Sequence, residues 1–82
     1  DPAGHLLVLR NQDQPGVIGG VGQVLADAGV NIAMMNLARR KINGKAISLI
    51  GLDSTVPEKV MKQLKNIKGV LSAILVTLPE AD

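Results

Sequence analysis

Apolar positions along this chain change period several times, and each change marks an element. From Leu6 to Leu9 every position is apolar, which suits a strand covered on both faces over residues 5–11 and ended by polar Arg10 and Asn11. Val17, Ile18, Val21, Val24, Leu25 and Ala28 then recur at offsets 0, 1, 4, 7, 8 and 11, which places them on one stripe of a helix. Pro15 offers its start, with Asp13 or Gln14 near the cap, and Gly29 its end at the C′ position. Val30 to Leu37 and Ala46 to Leu52 are again dense in apolar residues, and Asn43-Gly44 between them predicts a type I′ hairpin. Thr55-Val56-Pro57-Glu58 has capping-box spacing, and Val60, Met61, Leu64 and Ile67 repeat at helical offsets until Gly69. Val70 to Leu78 reads as the last strand.

The predicted order is therefore βαββαβ. Its halves echo each other, since Pro15 to Gly29-Val30 and Pro57 to Gly69-Val70 each run from a proline-started helix to a Gly-Val strand start. Two split βαβ units of this kind give an α+β, ferredoxin-like fold over residues 5–78: a four-stranded antiparallel sheet with two helices on one face. Residues 1–4 read as a linker or cloning remnant and 79–82 as a C-terminal tail. A chain of 82 residues has room for one small core, and a two-layer fold would leave one side of its two-sided apolar strands in water. A homodimer in which the edges or open faces of two sheets meet is the expectation.

Composition narrows the chemistry. Cysteine is absent and His5 is the one histidine, so disulfides, thiolate catalysis and a histidine-built metal site are excluded, and no metal site is expected. The absence of cysteine fits a reducing, cytoplasmic setting, and no apolar run approaches the roughly 20 residues that span a bilayer, so no membrane partner is expected. A formal charge of +2 is spread along the chain apart from Arg39, Arg40 and Lys41, which suit a solvated hairpin tip better than an anion site. An RNA-binding domain with this element order stacks bases on sheet aromatics, yet Phe, Tyr and Trp are all missing, so no nucleic-acid partner is expected. The serines, Ser48, Ser54 and Ser72, show no motif linking them to a base, so catalysis by this chain is not expected.

What stands out is NQDQPGVIGGVG, residues 11–22, which holds one carboxylate, three side-chain amides and four of the nine glycines. Each glycine inside a helix costs roughly 0.5–1 kcal/mol relative to alanine, so something must offset it. For Gly19, Gly20 and Gly22, close packing against a sheet or another chain serves equally well. Gly16 lies in the first turn, where its backbone N–H and that of Val17 can receive a carboxylate at the positive end of the helix dipole. Asn11 and Asp13 supply an amide and a negative charge just before it. An anion site beside a cation site suits a zwitterion, although Asp13 also fits a plain helix cap.

These residues carry a family likeness. DQPGVIGGVGQVLADAGVNIAMM resembles the opening of ACT domains, small amino-acid-sensing regulatory modules, and the likeness extends over residues 4–78. With the hairpin RRKINGKAISLIGLD, it is similar above all to the ACT domains that end D-3-phosphoglycerate dehydrogenases, with those of iron–sulfur L-serine dehydratases as the rival parent. The resemblance implies a regulatory domain without a cofactor of its own, attached to an NAD-dependent catalytic part. It implies L-serine held between two such domains, by the first strand–helix connection of one chain and by the Asn that begins strand two of the other. Those contacts correspond to Asn11, Asp13 and Asn31; some members carry His at the Asn11 position and Asn at the Asp13 position. The other implied role is a dimerisation module that has lost its ligand.

Overall fold

Six elements follow one another in the computed structural model, which describes residues 4–39 and 44–79. They are β1 (His5–Gln12), α1 (Val17–Asp27), β2 (Ile32–Arg39), β3 (Lys45–Leu52), α2 (Glu58–Lys65) and β4 (Val70–Thr77). The strands form one antiparallel sheet in the order β2-β3-β1-β4, with Leu7 opposite Ile50 on one side and Leu75 on the other. This is the βαββαβ, ferredoxin-like arrangement expected from the apolar pattern.

The alternation of strand side chains sorts the core from the open surface. Leu7 and Leu9 of β1, Ile50 and Leu52 of β3 and Ala73 of β4 point to one side and are buried. Val21 and Leu25 of α1 and Val60, Met61 and Leu64 of α2 join the same cluster, so both helices cover this one face. Each fully buried leucine there contributes about 1.5–3 kcal/mol, which lets a core without aromatic residues hold the sheet. The opposite face carries Leu6, Val8 and Leu49, half-buried, and Ile47 and Ile74, 48% and 59% exposed. Apolar residues on both sides of β1 and β3 thus leave one apolar surface uncovered, as the continuous run Leu6–Leu9 implies.

Element ends differ from expectation where proline and glycine act. Helix α1 begins at Val17 and not at Pro15, because Pro15 and Gly16 form a turn and Gly16 is the N-cap at φ +91°. Its far end closes as foreseen: the Gly29 N–H donates to Ala26 C=O and the Val30 N–H to Leu25 C=O, a Schellman pair. The capping box at Thr55 does not form. Pro57 is the N-cap of α2 with extended backbone, so the helix starts at Glu58, two residues after the start that a Thr55 cap sets, and it stops at Lys65, short of Gly69. Arg40, Lys41 and Asn43 lie outside the described residues. The flanking register, Arg39 opposite Ala46, is two residues away from the Arg39–Ser48 pairing that a two-residue Asn43-Gly44 turn imposes.

Candidate functional site

The connection from β1 to α1 is fastened before the helix starts. Gln12 donates its N–H to Gly69 C=O at 2.7 Å, Asp13 donates to Gly44 C=O at 2.7 Å, and Gln14 folds back onto Gln12 C=O at 2.9 Å. Two neighbouring segments, before β4 and before β3, therefore clamp the chain just where the polar run begins. Beyond the clamp Gly16 takes its left-handed turn, a conformation that other residues adopt at a cost. Having no side chain, Gly16 caps nothing, and no acidic residue stands in the first turn of α1. The positive end of the helix dipole is left without a carboxylate on the helix itself, which suits an incoming anion. Asp13, half-buried and three residues before the N-cap, is not at the cap position that sequence reasoning allowed for it.

Asn11 points inward, 1% exposed, on the same side of β1 as Leu7 and Leu9. Its Oδ1 accepts the Ser48 hydroxyl at 2.9 Å and its Nδ2 donates to Gln12 C=O at 3.0 Å. Among the described residues no buried polar side-chain atom lacks a partner. The pair ties β3 to the exit of β1 and so to the root of the clamp. Ser48→Ala is expected to lower unfolding free energy by about 1–3 kcal/mol, since Asn11 Oδ1 would stay buried without a donor. Urea unfolding measures this; a change below about 0.5 kcal/mol, within the range of ordinary surface substitutions, would show that the pair does not hold this end of the sheet.

The glycines divide. A Cβ built at Gly16, Gly19 or Gly22 meets no atom within 4 Å, while one at Gly20 meets Ile67 Cγ2 at 3.5 Å. Close packing inside the chain therefore accounts for Gly20 only, and Gly19 and Gly22 leave bare helix backbone at the surface. Val17, by contrast, is buried, 5% exposed.

Asn31 lies at the other end of the sheet. It precedes Ile32, which faces Leu52, whereas Asn11 faces Ala46. Six strand steps at about 3.3 Å place the two ends roughly 20 Å apart. Its Nδ2 donates to Asp53 Oδ2 at 2.6 Å and its C=O accepts the Asp53 N–H at 3.0 Å, with both side chains exposed. Of the site residues expected from sequence, one chain brings together Asn11, Asp13, Gly16 and Val17, and it holds Asn31 apart.

Ser48 and Ser54 hydrogen-bond to an amide and a backbone carbonyl, and neither is joined to a base; His5 Nδ1 lies 3.3 Å from Thr77 Oγ1. Among the described residues no group of three His, Asp or Glu is placed to hold a metal, and no helix is long and apolar enough to cross a membrane. Sequence reasoning missed Ser48, Asp53 and Gly69. A serine at an inward position of β3, between Ala46 and Ile50, was a readable anomaly; the side-chain bond from Asn31 to Asp53, 22 residues on, left no local trace.

Comparison with known proteins agrees with this fold. The chain is 40% identical over 78 residues to D-3-phosphoglycerate dehydrogenase of Bacillus subtilis, covering 95% of this chain and 15% of that protein. It is 30% identical over 66 residues to the probable L-serine dehydratase beta chain of the same organism, covering 80% of this chain and 30% of that one. A homoserine dehydrogenase from Thiobacillus denitrificans shares the fold, with a TM-score of 0.74 at 20% identity over 95% of this chain and 17% of its own. The chain thus spans a small part of the enzymes it matches. The ACT domain model matches residues 5–69, from β1 through the Gly69 clamp, and this chain belongs to the ACT domain family.

Proposed function

We propose that this chain is a regulatory domain that binds L-serine at the start of α1, within an NAD-dependent D-3-phosphoglycerate dehydrogenase, and that it acts as a homodimer. The observation that carries the reading is the clamped connection leading into a helix whose N-cap, Gly16, has no side chain and whose first turn holds no acidic residue, a place that suits a carboxylate. Similarity to the dehydrogenase supports that enzyme as the parent, and the family resemblance together with the L-serine dehydratase relative supports serine as the ligand. In this reading the backbone N–H groups of Gly16 and Val17 receive the carboxylate, Val17 giving up its 3.4 Å bond to Gln14 C=O, while Asp13 faces the polar end of the ligand and Asn11 shapes the floor.

Two chains are needed to complete the site. β2 is an edge strand, and Met34, Met35 and Leu37 along it are 47%, 42% and 40% exposed. Its last residue, Arg39, faces Ala46 and so lies at the Asn11 end of the sheet. Antiparallel pairing of two β2 edges sets the first residues of one beside the last residues of the other. The partner's Asn31 is thereby carried to the end where Asn11, Asp13 and Gly16 stand.

The sealed Asn11, 1% exposed, favours a second reading, a dimerisation module that takes no ligand. Isothermal titration with the common L-amino acids separates the two. Under the first reading L-serine binds, and Gly16→Val lowers its affinity at least about tenfold, a loss of about 1.4 kcal/mol, by filling the space the carboxylate enters. No heat with any amino acid, or unchanged affinity in a folded Gly16→Val, would remove the site.

A further inference from the structure

The two bonds between Asn31 and Asp53 have a chemical direction. An ionised carboxylate only accepts hydrogen bonds, so the end of the amide turned to Asp53 must be Nδ2, and Asn31 Oδ1 is turned away from it. The Asp53 N–H on Asn31 C=O fixes the two backbones against each other, so the pair is held at both main chain and side chain. We propose that Asp53 is the positioning residue of the ammonium half of the ligand site: it holds Asn31 with its oxygen outward and sets one negative charge beside it. The inference rests on the amino-acid reading above and divides the zwitterion between two protomers. The carboxylate lies at the start of α1 of one, and the primary ammonium at Asn31 and Asp53 of its partner. Asn11, whose oxygen is taken by Ser48 inside the core, is poorly placed for that task, whereas Asn31 and Asp53 are both exposed.

The test titrates the 82-residue chain with L-serine and with 3-hydroxypropionate, which keeps the carboxylate and hydroxyl of serine and lacks the ammonium. Asp53→Asn keeps an acceptor for Asn31 and removes the charge. It is expected to weaken L-serine by about tenfold, the worth of one charge-assisted contact, and to leave 3-hydroxypropionate unchanged, so that selectivity between them falls by the same factor. Asp53→Ala is expected to lose more of both affinity and selectivity. Wild-type affinity and selectivity in both variants would overturn the proposal, as would an equal loss for both ligands, which marks a role in folding alone. In the unmodified chain the Asn31 side-chain amide resonance should shift with L-serine and stay fixed with 3-hydroxypropionate; a resonance unmoved by bound serine overturns the proposal even if the variants do not fold. A wild-type chain that binds no amino acid removes the site and this inference together, whereas serine binding indifferent to Asp53 removes this inference only.

Discussion

Gly69→Ala is expected to destabilise the fold by roughly 2–5 kcal/mol, the sum of about 1–2 for a left-handed backbone and about 1–3 for overpacking. Gly69 sits at φ +98°, and a Cβ there falls 2.6 Å from Val17 Cγ2, closer than such atoms approach. Val17 cannot easily yield, because a β-branched side chain in a helix has one strongly preferred rotamer and this one is buried. The new methyl would push on the first residue of α1, while the carbonyl of the same Gly69 holds Gln12. Stability and the geometry of the candidate site should therefore suffer together. Adding Val17→Ala removes the clash and keeps the backbone strain, so the double variant should be less destabilised than the two singles summed, by about 1 kcal/mol or more. Urea unfolding followed by circular dichroism gives all three values. A Gly69→Ala protein within about 0.5 kcal/mol of wild type, the spread of ordinary surface substitutions, would contradict the role assigned to this contact.

The second large effect concerns assembly. A serine held by two protomers binds the dimer and not the separated chains, so binding and association must strengthen each other by the same free energy. At a hundred times the dissociation constant each site adds about 2.7 kcal/mol, and the two sites of a symmetric dimer about 5 kcal/mol, which tightens dimerisation by roughly 10⁴-fold. Asn31→Ala should remove most of that gain and leave dimerisation without serine near its wild-type value. Asn66→Ala is the control: Asn66 is the exposed C-cap of α2, on neither β2 nor the β1–α1 connection, and its loss should change neither quantity. In a full-length enzyme the same coupling would let serine fasten two subunits through their regulatory domains, a physical route to control of the catalytic part.

Local rules carried the sequence reading far, and it failed where partners are distant. The run Leu6–Leu9, the stripe from Val17 to Leu25 and the Gly29 end of α1 speak for themselves, because strand and helix periods and a Schellman end are set by near neighbours. The βαββαβ order follows from them. The start of α1 was misplaced by two residues, because Gly16 spends its conformational freedom as the N-cap after a turn at Pro15. Thr55 was misread for a similar reason: Pro57 takes extended backbone, and the helix waits for Glu58. At the site, the cluster from Asn11 to Val17 was visible as a polar, glycine-rich stretch. The burial of Asn11 was not, since it depends on Ser48, 37 residues away, nor was the clamp by Gly44 and Gly69, which are neighbours of this segment only in the folded chain.

The dimer dissociation constant, measured by sedimentation with and without saturating L-serine, tests the central claim most directly. A shared site predicts that serine lowers it by several orders of magnitude in the wild-type chain, and by little in Asn31→Ala. The same constant in both conditions, with serine shown to be bound, would contradict it and confine the ligand to a single chain.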